Sequence, residues 1–248
     1  MISRKELEEY AKNRGLKNIG QAEKDYFQNI ILFIIYQNYG TEIIFKGGTA
    51  LVKCYGLNRF SEDLDFNCEE KFDIKKIEEG LKLFKINYEC ECEDNHERSK
   101  TFIIRLQGPL FNGVKNSLCK IILDLSFREK TFLIPEAKML GRFLEEIPSF
   151  EVYVMKKEEI FAEKIRAIIS RNKARDLYDL YFLLSIGVKC EQELIQKKLE
   201  YYKIIFTKKL FYEKLEEKKH TWDSELSPLM KNIPDFNEVL KKAKQINF

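Results

Sequence analysis

Histidine is all but missing from this sequence, with two in 248 residues, and the six cysteines at 54, 68, 90, 92, 119 and 190 form no CxxC pair. Together these absences exclude the usual zinc-ligand spacings, and the thiols are expected to stay reduced, as in the cytosol. Long apolar stretches are missing too. The most apolar run, IILFIIY at 30–36, has seven residues; a membrane span takes about 20, so this run reads as part of a buried helix. The opening MISRKELEEYAK is polar and reads as a helix rather than a signal peptide. The expectation is a cytoplasmic protein with no membrane partner. No single sign of charge dominates, since the formal net charge is +3. Residues 189–248 carry 13 lysines against 10 acidic residues and the remainder is neutral, a mild excess that a solvated helical face explains as well as an RNA surface does. Internal repeats and low-complexity linkers are absent, as are the GxxxxGK and GxGxxG phosphate-binding fingerprints.

What is present is a chain 44% hydrophobic and 33% charged, enough for one large domain or two modest ones. Ser3 is expected to cap a helix over 3–14, with Glu6 closing a capping box. A second helix covers 21–39 and stops at Gly40. EIIF at 42–45 is apolar and β-branched and reads as a strand. KGG then turns the chain, TALVKCYG makes a short helix ended by Gly56, and SEDLDFN forms the next strand. A helix over 73–85 follows, then strands in NYECECE and TFIIRLQG around a polar turn near 94–99, and a strand in CKIILDLSF. Residues 136–140 read as a short helix and 150–155 as a last strand or extended piece. From Lys157 onward the pattern is helical: KEEIFAEKIRAIISR and ARDLYDLYFLLSIG meet near Asn172, and later helices break at Pro228 and Pro234. The fold class is α/β, a mixed sheet flanked by helices over 1–155, followed by an α-helical domain over 156–248.

Four constellations carry chemistry. At Phe45 to Leu51 a strand runs through Gly47 and Gly48 into a helix. Two glycines let the backbone approach a ligand, and a helix N-terminus offers N–H groups to a phosphate; Thr49 adds a hydroxyl. Taken alone, a GG pair is more often only a turn. In RFSEDLDF, Asp63 and Asp65 alternate with Leu64 and Phe66, so a strand puts both carboxylates on one face, where they repel each other. Exposure to water explains such a pair, and so does a cation between them. The two motifs fall within 24 residues, which puts a phosphate cradle beside paired carboxylates, the donor set that Mg²⁺ and a nucleoside triphosphate share. Asp124 is the one charge in the strand IILDLSF. It faces outward on an edge strand, or pairs with Arg105 or Arg128, or joins Asp63 and Asp65 as a third carboxylate, a set that can serve two metals. Lys164 and Arg166 lie on one helix, and Arg175, Asp176 and Asp179 on the next, with the two aspartates at i, i+3 on one face. These charges form an ion-pair set tying the helices together, or Lys164 balances a triphosphate.

FKGGTALVKCYGLNRFSEDLDF resembles the opening motif of the nucleotidyltransferase superfamily, hG[GS]…Dx[DE]. EKDY in the second helix, R-x-S-x-D-L-D-F, and the distal E-K-x-R-A…R…R-D-x-x-D are similar to the AbiEii family, toxins of type IV toxin–antitoxin and abortive-infection systems, with the mycobacterial MenT toxins as relatives. The resemblance runs from about Gln21 to Leu184. The gap between Gly48 and Asp63 exceeds that of the general motif and agrees with the AbiEii variant, whose extra residues supply Arg59 and Ser61. The resemblance implies a nucleotidyltransferase-like sheet with a helical C-terminal domain completing the nucleotide cleft. It implies Mg²⁺, or Mn²⁺, on Asp63 and Asp65, with Asp124 as third ligand or as base. Lys46, Gly47, Gly48, Thr49, Arg59, Ser61 and Arg175 would bind the nucleotide, Lys164 the triphosphate, and Asp176 would complete a further motif. The reaction implied is transfer of NMP from an NTP to an acceptor hydroxyl with release of pyrophosphate. The acceptor in relatives is the 3′ end of tRNA, and a cognate antitoxin is the implied partner. A metal-dependent nuclease and an NTP sensor without transfer are the competing readings.

Overall fold

Seven strands form one mixed sheet in the computed structural model, which describes every residue except 69–71, 97, 128–129 and 142–146, and the Asn95 side chain. The strands are β1 (Ile43–Lys46), β2 (Asp63–Cys68), β3 (Tyr88–His96), β4 (Ser99–Leu106), β5 (Cys119–Ser126), β6 (Glu136–Leu140) and β7 (Phe150–Val154), in the spatial order β3-β4-β5-β2-β1-β7-β6. β2 runs parallel to β5 and β1 parallel to β7, while the other neighbours are antiparallel. The chain divides into two compact units: Met1–Cys54, Phe60–Lys130 and Pro135–Val154 make the first, and Tyr55–Arg59, Thr131–Ile134 and Met155–Phe248 the second.

In the first unit, α1 (Arg4–Asn13) starts at the Ser3–Glu6 capping box, and α2 (Ile19–Tyr39) is capped by Asn18 and ends at Gly40, whose φ is +50°. α2 is the central support. Its apolar side, with Phe27, Ile30, Ile31, Ile34 and Ile35, is buried together with Phe45, Leu64, Phe66, Leu123 and Leu125 of the sheet. Each of those strands alternates, so one face packs and the other is left partly open. The hydroxyl of Tyr36 adds a polar stitch: it donates to the Tyr153 carbonyl at 2.8 Å and accepts from the Phe45 N–H at 3.2 Å, tying α2 to β7 and β1. α4 (Ile74–Leu83) also packs on α2, and Gly80 lets it approach Ile34, where a Cβ would collide with the isoleucine side chain.

Three local expectations need correction. Residues 136–140 form strand β6, not a helix: E-A-K-M-L contains good helix formers, but pairing from Glu136 with Val154 to Leu140 with Phe150 overrides that propensity. The polar turn near 94–99 is shorter, because β3 and β4 stay paired to His96 with Ser99, past a bulge between Cys92 and Asp94. β3 is an edge strand, so its charged residues face water and cost the ladder nothing. Finally, the glycines do not form a separate turn. The short helix α3 (Gly47–Ala50) begins at Gly47 itself and continues as a wide π turn over Leu51–Tyr55.

The second unit is helical: α5 (Lys157–Ser170), α6 (Ala174–Ser185), α7 (Gln192–Glu200), α8 (Lys208–Glu217), α9 (Trp222–Leu226) and α10 (Phe236–Lys244). Two buried lysines brace it. Lys198 of α7 pairs with Glu159 and Glu163 of α5 at 2.9 and 3.0 Å. Lys218 donates to the carbonyls of Ile168 and Arg171 at 3.1 and 2.7 Å, closing the C-terminal end of α5 where carbonyls lack helical partners. Among the described residues no helix is long and apolar enough to cross a membrane.

Candidate active site

One row of residues crosses four strands of the first unit. Lys46 on β1 is level with Asp65 on β2, Asp65 with Asp124 on β5, and Asp124 with Thr101 on β4. Residues level on adjacent strands point to the same face, about 5 Å apart. Asp63, two positions before Asp65 and level with Ile122, lies on that face as well. All three aspartates are half-buried, on the side away from the packed leucines and phenylalanines of the same strands. The strand reading of RFSEDLDF therefore places Asp63, Asp65 and Asp124 together.

The glycines stand directly against this row. Gly47 has φ +75°, a conformation that an L side chain adopts only with strain, and a Cβ there would collide with the carboxylate of Asp65. Gly47, Gly48 and Thr49 are the first residues of α3, so their N–H groups have no partner within the helix. Thr49 is buried and its hydroxyl donates to the Asp63 carbonyl, so that hydroxyl is engaged within the protein. The loop carrying Ser61 is held from α2: the Gln28 amide donates to the carbonyls of Ser61 and Glu62, both at 3.0 Å. Glu23, at the start of EKDY, accepts the Leu110 N–H at 2.8 Å, and burial raises its pKa, partly offset by that hydrogen bond.

Asp124 has a partner that sequence reading did not find. The Thr101 hydroxyl donates to its Oδ1 at 2.6 Å. Arg105 pairs instead with Glu91 at 2.7 Å, and Arg128 lies outside the described residues. Only strand register reveals Thr101, since the two residues are 23 apart in sequence.

Arg59, Lys164, Arg175 and Asp176, expected from sequence to serve the nucleotide, belong to the second unit, where a buried ion-pair network forms. Lys164 on α5 bridges Asp176 at 2.9 Å and Asp179 at 2.6 Å, both on α6. Arg59 grips Asp179 with two bonds of 2.7 Å, and Arg171 grips Asp176 at 2.7 and 2.9 Å. Burial pushes the two carboxyls up, but the cations outweigh it: Lys164 and Arg171 hold Asp176, and Arg59 and Lys164 hold Asp179, below the usual carboxylate range. Arg175 sits half-buried on α6 beside Asp176. Sequence reading missed Arg171, and it weighed Asp179 without placing it in the site. The i, i+3 spacing of the two aspartates signals that they share a face, but nothing local names Arg59 as a partner.

Among the described residues no three His, Cys, Asp or Glu side chains gather closely enough to hold a metal alone. Neighbouring carboxylates that leave coordination positions for substrate phosphates are nevertheless the hard-oxygen set that Mg²⁺ takes, so the donors present fit that ion.

Comparison with known proteins gives the chain a family and a fold. A family model described as nucleotidyl transferase AbiEii toxin, type IV TA system, matches residues 30–242. No curated protein matches. Among solved structures, the chain is similar to the MenT4 nucleotidyltransferase toxin of Mycobacterium tuberculosis, with TM-score 0.64 and 18% identity over 99% of this chain and 88% of that one. It is also similar to JHP933 of Helicobacter pylori, with TM-score 0.55 and 22% identity over 89% of this chain and 87% of that one. At these identities the structures share the fold, and the family model carries the assignment: the chain belongs to the AbiEii family of nucleotidyltransferase toxins of type IV toxin–antitoxin systems.

Proposed function

We propose that this nucleotidyltransferase moves an NMP from an NTP to a hydroxyl of an RNA acceptor, the 3′ end of tRNA, in the cytoplasm, and that a cognate antitoxin restrains it. The observation that supports this reading is the row Lys46, Asp65, Asp124 and Thr101 with Asp63 on the same face and the N–H groups of Gly47, Gly48 and Thr49 beside it. Asp63 and Asp65, with Asp124 as third donor, would hold Mg²⁺, which supplies charge neutralisation to the phosphates. The glycine N–H groups hold the triphosphate by hydrogen bonds, beside an Asp65 carboxylate that a side chain at Gly47 would displace. In the transfer the acceptor hydroxyl oxygen bonds to the α-phosphorus, the bond from that phosphorus to the bridging oxygen breaks, and pyrophosphate leaves with the electron pair. In the alternative to serving as third donor, Asp124 is the base that takes the hydroxyl proton, on the oxygen that Thr101 does not engage. Lys164, Asp176, Arg59, Ser61 and Arg175 enter the proposal through the family resemblance, and the first, second and third of these have a bracing role of their own in the second unit.

The test is to incubate the protein and bulk RNA with each of the four α-labelled NTPs. Labelled tRNA is expected with at least one NTP, with pyrophosphate released in step, and none with Asp65→Ala. Label that persists in Asp65→Ala overturns the mechanism, and shortening of RNA without NTP points to a nuclease.

A further inference from the structure

Behind the glycines lies a second charged cluster that the transfer reaction does not use. Asp25 of α2 is 2% exposed, and the side chain of Lys53, in the π turn, is also 2% exposed. The Lys53 Nζ lies 2.6 Å from Asp25 Oδ1 and donates to Asn29 Oδ1 at 3.2 Å. From α1, the Tyr10 hydroxyl donates to Asp25 Oδ2, and Arg14 Nε lies 3.4 Å from the same oxygen. The Asn29 amide donates to the Asp25 carbonyl at 2.8 Å and to Tyr10 at 3.1 Å, so the polar groups of this site are interlocked.

Stability alone is a poor reason for such a pair. Dehydrating both charges offsets most of their attraction, and apolar residues of similar volume often serve as well or better. Position is the better reason. Lys53 lies four residues past Thr49 in the continuous helical segment that begins at Gly47. That segment widens into a π turn at Lys53, an uncommon geometry that concentrates at functional sites. Its near end is fastened to β2, by the Thr49 hydroxyl on the Asp63 carbonyl and by the fit of Gly47 against Asp65. Its far end is fastened to α2 through Lys53.

We infer that the Asp25–Lys53 ion pair is a positioning clamp: it holds the segment that begins at Gly47 so that the N–H groups of Gly47, Gly48 and Thr49 stay aligned on the nucleotide triphosphate beside Asp63 and Asp65. The inference deepens the transfer reading and rests on it. Neither residue touches the reacting atoms; both act through the turn.

Single replacements strand a buried charge, so the informative variant is Asp25→Asn/Lys53→Met, which removes both charges and nearly preserves volume. Tyr10→Phe, which removes one donor to Asp25 and keeps the ring, is the milder companion if the double variant does not fold. The double variant is expected to melt cooperatively, to exchange amide protons faster in 47–55 but not elsewhere, and to raise the KM for NTP about 10-fold with a smaller change in kcat. Tyr10→Phe is expected to shift both quantities the same way by about 2- to 3-fold. Unchanged KM and unchanged exchange in 47–55 overturn the clamp, as does faster exchange spread evenly through the chain. The exchange measurement needs no catalysis, so it judges the clamp even if wild-type protein transfers nothing, the result that would refute the transfer reading instead.

Discussion

Gly47 shows how much one residue can decide. Its φ of +75° and its contact with Asp65 make two separate demands, and only glycine meets both. In Gly47→Ala the positive φ costs about 1–2 kcal/mol, which in a chain of this size lowers Tm by roughly 2–8 °C. The activity loss is expected to be far larger than this stability loss, because the new methyl group displaces the carboxylate of Asp65. Transfer is expected to fall by about 100-fold or more, measured as label incorporated per minute alongside a thermal melt. Activity near wild type in a folded Gly47→Ala protein would show that Asp65 tolerates displacement. Thr101 makes a gentler case. Thr101→Val keeps the shape and removes the donor to Asp124, so the carboxylate is free to rotate. The expected result is a fall in kcat of about 10-fold with KM for NTP little changed, and recovery in Thr101→Ser, which keeps the hydroxyl. Unchanged kcat in Thr101→Val would show that the hydroxyl does not matter there, and loss in Thr101→Ser alone would show that the methyl group does.

The element that repays attention at the next scale is the α5–α6 pair with its ion network. Asp176 and Asp179 have folded-state pKa values below their unfolded values. They therefore add stability above the unfolded carboxylate value of about 4, and that contribution drains away as pH falls through the lower folded values. Helical ellipticity and melting temperature are expected to hold from pH 7 to 5 and to drop below about pH 4. Asp179→Asn leaves Arg59 and Lys164 buried with less negative charge between them. It is expected to destabilise the fold by about 3–5 kcal/mol and to flatten the acid dependence. A melt as steep in acid for Asp179→Asn as for wild type would assign the acid lability to other groups. This scale also shows where the sequence is legible. Alternation named β2, the Ser3–Glu6 capping box named the start of α1, Gly40 named the end of α2, and the i, i+3 spacing put Asp176 and Asp179 on one face. Each of those signals is local. The bidentate partner of Asp179 is 120 residues away at Arg59, and no local pattern points to it. β6 was misread for the same reason, since its short sequence favours helix and only β7 makes it a strand. Thr101 and Lys53 stayed hidden because each acquires its meaning from the strand or helix beside it.

For the whole molecule, the question is what the transfer does to a cell. Family membership assigns the chain to a toxin class, and the chemistry argues that harm would come from turnover rather than from binding. An enzyme that modifies a hydroxyl on many copies of an RNA acts far below stoichiometry, whereas a sequestering protein must match its target in number. The net charge of +3 is also too small to make the chain a general RNA trap. Induced expression is therefore expected to arrest growth at low protein level, and Asp65→Ala expressed to the same level is expected to leave growth normal. The arrested cells should hold tRNA lengthened at its 3′ end, visible as slower migration and as failure to accept amino acid. Arrest by both forms would make binding the harmful act, and normal growth with the wild-type protein, at a level where transfer is measurable in extract, would give the transfer a role other than toxicity.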